Sequence, residues 1–425
     1  MGFLTFRSKA FRDLLAVLLI VTVITALLGL IHGISILQYV INGLIVGSIY
    51  VLGATGLTLI FGIRKFSNFA HGDMMTYGAY MAYLANVLWF LDIIWGFVFA
   101  ILMTAVLGIL MELLVFRKLA GRGPVSALVA SIGIMIFLQN FLNGTFGTSI
   151  NQYNIRLTSN IVLWTENGIS VVSIPPLRGI TVLVVSAVII LLLHVLLSRT
   201  TMGKAMRATA DNPDLARASG IRVRGVILWT WALTGAMAGV AGVLLGIFID
   251  VRPGLGFNVL LFIFAAVIVG GIGSPYGAML GGLVVGIAQE LSAAFLVWLG
   301  RDEAAQGIVD AFRSPAAIAV AVALLAVLLA HLSYRVHVPP REWVRPVLLA
   351  GLILFVPIGL AFLAPPQVGG LEQPVAYRPI AAFGIMILVL LLRPAGLAAG
   401  KTSGPRVGRG FSLIGRSRAG DRASR

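Results

Sequence analysis

"KAMRATADNPDLARASGIRVRG", residues 204–225, carries five basic and two acidic side chains between two runs that carry none, 179–198 and 227–249. Each run has about the 20 residues that a helix needs to cross a ~30 Å hydrocarbon core. A charged interlude between two such runs marks a membrane protein that holds a short segment outside the bilayer. Within the interlude, Asp211-Asn212-Pro213 reads as a helix start, with a carboxylate or amide to cap and proline at the first helical position. Asp214 follows in the first turn, and Gly220 reads as the glycine that ends the helix. Leu215 and Ala218 lie three apart with Ala216 and Ser219 beside them, a small and weakly apolar docking face. Arg217 falls near the C-terminal end, where a cation is favoured. A second helical piece, Lys204 to Ala210, precedes it. The pattern predicts a short docking helix rather than a slack surface loop.

The rest of the chain fits the same class. Of 425 residues, 59% are hydrophobic and 11% charged, with a mean hydropathy of +1.01. That is too little polar surface to wrap a water-soluble globule. The 49 glycines suit helices that approach closely in lipid. The absence of cysteine excludes disulfides and thiolate metal sites.

Twelve apolar segments are predicted, at 14–31, 34–63, 66–90, 92–116, 124–142, 179–198, 227–249, 258–273, 277–299, 315–333, 347–364 and 379–392. The expected fold is an all-α polytopic membrane protein of about ten to twelve transmembrane or re-entrant helices, with 258–273 short enough to be re-entrant. The segment 14–31 follows Arg7, Lys9 and Arg12 and reads as an uncleaved first helix, because no small-residue cleavage pattern follows. With the N-terminus inside and the loops alternating, only Arg156, Arg178, Arg252, Arg301, Arg313 and Arg378 of the 31 basic residues fall outside. That asymmetry follows the positive-inside rule, places both termini on the cytoplasmic side, and makes the net charge of +16 a topology signal rather than a nucleic-acid footprint. The external loop, 143–178, is expected to be polar and irregular. The tail, 400–425, is rich in Gly, Ser and Arg and reads as disordered.

Motifs for chemistry are sparse. "AGLAAGKT", 395–402, resembles a relaxed phosphate loop, but it trails an apolar segment and lacks the strand and helix that such a loop needs. Asn143-Gly144-Thr145 matches a glycosylation sequon too short to carry weight. The histidines His32, His71, His194, His331 and His337 show no metal-ligand spacing, so no metal site and no catalytic constellation is expected. Polar residues inside apolar segments are the candidates for a translocation pathway: Asn42, Asn68, His71, Asp73, Gln139, Asn140 and Gln289, with Glu290 beside the last. The alternative for Asn68 and Asp73 is structural, Asn68 capping a helix from Phe69 and Asp73 complementing its positive end. Ser274-Pro275-Tyr276-Gly277 reads as a turn that breaks a helix, within a stretch whose glycines serve close packing or a transport path.

Four blocks resemble the permeases of branched-chain amino-acid ABC importers: "NGLIVGSIYVLGATGLTLIFGIRKFSNFAHGDMMTYGAY" (42–80), "GKAMRATADNPDLARASGIRVRGVILWTWALTGAMAGVAGVLLG" (203–246), "GGIGSPYGAMLGGLVVG" (270–286) and "AYRPIAAFGIMILVLLLRPAGL" (376–397). The resemblance implies an importer built from this chain, a second permease subunit (related or identical), two ATP-binding subunits and an extracytoplasmic substrate-binding protein. It implies no cofactor on this chain, with ATP and Mg held by the partner subunits, and makes 211–220 a cytoplasmic coupling helix within the loop 199–226. The expected organisation is a permease core over 1–299, an inserted pair of apolar segments over 300–374 that typical members lack, and a final core helix over 375–399.

The expected function is import of branched-chain or related amino acids, with ATP hydrolysed on other chains. A urea or short-chain amide permease is the closest alternative, since cargo choice rests largely with the binding protein. An ion-coupled secondary transporter would need embedded acids, for which Glu112 and Glu290 are the candidates. A membrane scaffold without cargo fits the glycine-broken segments less well.

Overall fold

The computed structural model describes residues 35–301 apart from 156–158 and 167–168. The predicted segments 14–31, 315–333, 347–364 and 379–392, the inserted pair, the phosphate-loop-like stretch, the tail and both termini lie outside the described residues. In chain order the elements are α1 (Ile36–Arg64), α2 (His71–Tyr83), α3 (Ile93–Leu119), α4 (Pro124–Phe146), β1 (Ile161–Glu166), β2 (Ile169–Ile174), α5 (Thr181–Arg199), α6 (Thr201–Asp211), α7 (Pro213–Ala218), α8 (Val223–Phe248), α9 (Leu255–Gly270) and α10 (Pro275–Arg301). Three single π-helical turns join them: Leu84–Leu88 extends α2, Glu112–Phe116 sits inside α3, and Pro176–Ile180 leads into α5.

Six helices among the described residues are long and apolar enough to cross a membrane: α1, α3, α4, α5 with its leading turn, α8 and α10. The chain is therefore a multi-pass helical membrane protein. The segment 258–273 appears as α9, whose 16 residues span only ~24 Å. It nevertheless connects the two ends of the bundle. Before its start, Val251 pairs with Asn151 of the long loop; after its end, Tyr276 meets His194 in the last turns of α5, with 3.1 Å between Tyr276 Oη and His194 Nδ1. α9 thus runs from one end of the described bundle to the other.

Burial sorts the helices into an inner and an outer set. In the most apolar windows of α1 and α8, 89% and 78% of residues are buried, against 22% in α3, α4 and α5. α1 packs most extensively on α10, and α8 on α3 and α2. Glycine lets these backbones touch. A Cβ added at Gly43 of α1 would stand 2.7 Å from the Ile287 Cα of α10, and one at Gly78 of α2 would stand 2.6 Å from the Gly239 Cα of α8. Close backbone approach yields dispersion contact where lipid offers no hydrophobic drive between helices. The outer helices show large side chains such as Ile94, Phe137 and Leu191 on their free faces.

The loop 143–178 differs from the expected irregular segment: β1 and β2 form an antiparallel hairpin within a fold that is otherwise all-α. Ile161, Val162, Thr165, Ile169, Val171 and Val172 are β-branched, and "NG" at 167–168 separates the two runs, a strong hairpin signal that the polarity of the loop obscures.

The predicted turn at Ser274-Pro275-Tyr276-Gly277 is a second correction. The turn lies just upstream, where Ser274 N–H donates to the Gly271 carbonyl at 3.1 Å. Ser274 Oγ then accepts from Gly277 N–H at 3.1 Å, and Pro275 is the first residue of α10. Proline suits both the second position of a turn and the first turn of a helix, and the 27-residue helix that follows decides between them.

Candidate functional site

The charged interlude folds as two short helices at the end of the bundle where the basic residues Arg64, Lys65, Arg117 and Lys118 also lie. Thr200 caps α6 by accepting from Gly203 N–H at 3.0 Å. Asn212 caps α7, its Oδ1 accepting from the N–H groups of Asp214 and Leu215, both at 3.0 Å. Of the two capping groups that the sequence offered, the amide takes the position and Asp211 closes α6. Pro213 then begins α7 with its fixed φ. At the far end Gly220 has φ +84°. Its N–H donates to the Arg217 carbonyl and that of Ile221 to the Ala216 carbonyl, both at 3.0 Å. That pair is a Schellman ending, which needs a residue tolerant of the left-handed region.

α7 is therefore fixed at both ends though it is six residues long. Ala216 alone of its residues is buried, and it anchors the helix toward α6 and α8. Leu215 is 65% exposed, and Asp214 and Arg217 form an outward ion pair of 3.3 Å that contributes little to stability. The outward face is thus Leu215 and Ala218 framed by charges.

The pathway candidates do not gather into one site. At the start of α2 and just ahead of it, Asn68, His71 and Asp73 are wholly buried. Asn68 Oδ1 accepts from Ala70 N–H at 3.2 Å, a local turn ahead of a helix that starts at His71 rather than Phe69. The His71 ring lies against α1 at Gly53 and Gly56. Both Asp73 oxygens are enclosed with no hydrogen-bond partner among the described residues. At the α1–α10 seam, Gln289 accepts from Tyr50 Oη at 2.8 Å, and Asn42 accepts from Gln38 Nε2 at 3.0 Å. Gln139 lies beside Gly254 at the start of α9. Asn140 is exposed, and its amide bonds back to the Ile136 carbonyl at 2.8 Å. An amide satisfied within its own helix can face outward.

Sequence reasoning also missed partners that only folding supplies. Glu112 is paired with Arg64, and Arg178, noted only as an outer cation, lines a cavity. No group of three or more His, Cys, Asp or Glu that could hold a metal occurs among the described residues.

The described residues thus form a multi-pass helical bundle with glycine seams at its centre and a doubly capped surface helix at its basic end. The family model described as "Branched-chain amino acid transport system / permease component" matches residues 39–356, and the chain belongs to that family. That match runs into the segment read as an insertion. The chain is 36% identical over 269 residues to the high-affinity branched-chain amino acid transport system permease protein LivH of Escherichia coli, covering 61% of this chain and 87% of that one. It is 35% identical over 266 residues to the corresponding protein BraD of Pseudomonas aeruginosa, covering 60% and 86%. It is 31% identical over 258 residues to a probable branched-chain amino acid transport permease protein of Methanocaldococcus jannaschii, covering 60% and 80%. No solved structure matches the chain.

Proposed function

We propose that this chain is the membrane-spanning subunit of an ABC importer that carries branched-chain or related amino acids, delivered by an extracytoplasmic binding protein and driven by ATP and Mg on two partner subunits. The observation that carries this reading is α7, fixed by Asn212 at one end and Gly220 at the other, with Leu215 turned outward. A rigid helix on the basic face is what an ATPase subunit needs to grip, because a slack loop would absorb the movement instead of passing it on. Asp211, Asn212, Pro213, Asp214, Leu215, Ala216, Arg217 and Gly220 form that coupling element. Closure of the ATPase pair displaces α7, and the α6–α8 scaffold passes the displacement into the inner helices as a rigid-body change.

A second permease subunit completes the pathway. On this chain Asn42, Asn68, His71, Asp73, Gln139 and Gln289 are the polar groups available to it, and the Gly271–Ser274 turn ahead of Pro275 and Gly277 supplies the break between α9 and α10. Both termini and α7 face the cytoplasm in this reading, with the β-hairpin outside. The decisive experiment is uptake by proteoliposomes holding this chain together with a second permease, ATPase subunits and a binding protein. ATP-dependent leucine uptake supports the assignment. Uptake of urea or acetamide without leucine moves the cargo to the amide class, and uptake that needs an ion gradient but no ATP overturns the ABC reading.

A further inference from the structure

α3 divides its side chains by size. Gly96, Ala100, Thr104, Gly108 and Met111 are buried against the bundle. The small residues let neighbouring backbones come close: a Cβ added at Gly108 would stand 2.5 Å from the Trp231 carbonyl oxygen of α8. The free face carries Trp95, Val98, Leu102, Val106, Leu110 and Leu114, all exposed. At 1.5 Å per residue that stripe is ~28 Å long, close to the ~30 Å of a hydrocarbon core. The polar side chains within its length, Thr104 and Glu112, are both buried. The exposed cations Arg117, Lys118 and Arg122 follow just beyond its inner end.

At the other end the stripe continues into the corner that joins α2 to α3. Leu88, Trp89, Phe90 and Leu91 are four consecutive exposed apolar residues, and Phe90 is 83% exposed. Such a run is out of place in a loop that faces water. The corner is also closed by hydrogen bonds. Trp89 N–H donates to the Leu84 carbonyl and Leu91 N–H to the Ala85 carbonyl, both at 3.0 Å. Asn86 spans it, Nδ2 donating to the Leu91 carbonyl at 2.9 Å and Oδ1 accepting from Asn154 N–H at 2.8 Å. Asp92 caps α3 by accepting from Ile94 N–H at 2.9 Å, and the Trp89 ring lies beside that of Phe99, with centroids 5.1 Å apart. Phe90 takes φ +56°, a left-handed conformation that is costly for a bulky residue. The fold thus holds a large ring outward where a relaxed chain would not.

We propose that this corner and the free face of α3 are one lipid-contacting surface, with the corner seated at the headgroup boundary of the leaflet opposite α7, and that a second permease subunit packs elsewhere. The surface is continuous with the bilayer contact that the six long apolar helices establish. Its length matches the hydrocarbon core, its inner end is basic, and its other end carries Trp89 and Trp95. Tryptophan suits that boundary, because its body is apolar and its N–H can reach water. A protein partner would ask for something else. Helices associate in lipid through small residues and hydrogen bonds rather than apolar area, and α3 has turned Gly96, Thr104 and Gly108 inward. The inference rests on the chain spanning a bilayer and is independent of the cargo.

The sequence has no cysteine, so a single introduced one can carry a nitroxide label without background. Full-length Leu102→Cys, Leu110→Cys, Phe90→Cys and Lys118→Cys are labelled, checked by gel filtration and reconstituted into phosphatidylcholine vesicles. Electron paramagnetic resonance then reads collisions with oxygen, which concentrates in lipid, and with a neutral nickel chelate, which stays in water. The oxygen-to-nickel ratio should be several-fold higher at positions 102 and 110 than at 90, and higher at 90 than at 118. Repeating the measurement with the second permease, ATPase subunits and binding protein present should leave the ratios at 102 and 110 unchanged. Loss of oxygen access there on adding the second permease makes α3 a subunit contact and overturns the proposal. A label at position 90 as open to nickel as the one at 118 puts the corner in water and overturns it too. Either failure leaves the import reading standing, since that reading is decided by uptake.

Discussion

Arg64 at the end of α1 and Glu112 in the π turn of α3 form a two-pronged ion pair: one guanidinium nitrogen meets Glu112 Oε1, and Nε donates to Oε2 at 3.2 Å. Only 3% of the Glu112 side chain and 16% of that of Arg64 reach the surface. The pair sits beside a stack in which Phe116 lies between Phe66 and Trp231, with ring centroids 4.9 Å apart on both sides. Glu112 therefore ties two helix ends together and is not a free acid of the kind that an ion-coupled carrier needs.

Removing one partner of a buried pair strands the other charge at a cost of about 3–5 kcal/mol, while replacing both with apolar groups is often near neutral. Glu112→Ala should thus lower the melting temperature of the detergent-purified chain markedly, and the double change Arg64→Met with Glu112→Leu should recover most of it. Equal melting of the single and double variants would show that the pair carries no such weight.

The caps of α7 give a second prediction, on coupling rather than global stability. Asn212→Ala removes two accepted hydrogen bonds at a cost of about 1 kcal/mol to the helix. Gly220→Ala forces a Cβ into the left-handed region at about 1–2 kcal/mol. Both proteins should insert normally, yet stimulation of partner ATPase by loaded binding protein should fall several-fold. Gly220→Asn should be milder, since asparagine tolerates that region. Full stimulation in Asn212→Ala and Gly220→Ala alike would mean that a loose α7 transmits as well as a fixed one.

Position-specific residues make α7 readable in the sequence: proline, a capping amide and glycine each restrict the backbone within one or two positions. The same local logic failed at Pro275, where turn and helix start make identical demands and only the long apolar continuation chooses. The way Asn140 faces was not legible for a different reason. In a membrane helix the lipid face and the protein face are both apolar, so periodicity does not say which way a polar residue points. The Arg64–Glu112 pair, 48 positions apart, and the place of Arg178 in a cavity wall depend on which helices end up adjacent. No window of sequence contains that information.

The α1–α10 seam predicts a sharp contrast between two glycines. A Cβ at Gly282 would lie 2.7 Å from Val51 N and 2.8 Å from Val51 Cα, both backbone atoms that cannot yield. A Cβ at Gly62, near the end of α1, meets nothing within 4 Å. Overpacking costs about 1–3 kcal/mol, whereas alanine for glycine in an open helical position gains up to about 1 kcal/mol. Gly282→Val should therefore reduce yield and melting temperature, and Gly62→Ala should leave both equal or improved. A tolerated Gly282→Val would require α1 and α10 to be further apart than they are here.

Leu215 separates docking from folding. Its side chain is 65% exposed on a helix whose neighbouring Ala216 is only 3% exposed, so changing Leu215 disturbs little inside the chain. Surface substitutions away from special features usually fall within about 0.5 kcal/mol. Leu215→Asp should melt like the unaltered protein. If α7 seats in an ATPase subunit, however, the same change buries a carboxylate in the contact and loses the leucine's apolar area. Burying a side chain of that size contributes about 1.5–3 kcal/mol, so co-purification of the ATPase should drop at least ~10-fold. Ala216→Asp should do the reverse, lowering stability first because its position faces α6 and α8. An exposed helix with no partner would leave ATPase recovery unchanged in Leu215→Asp, and that single result would detach α7 from the ATPase.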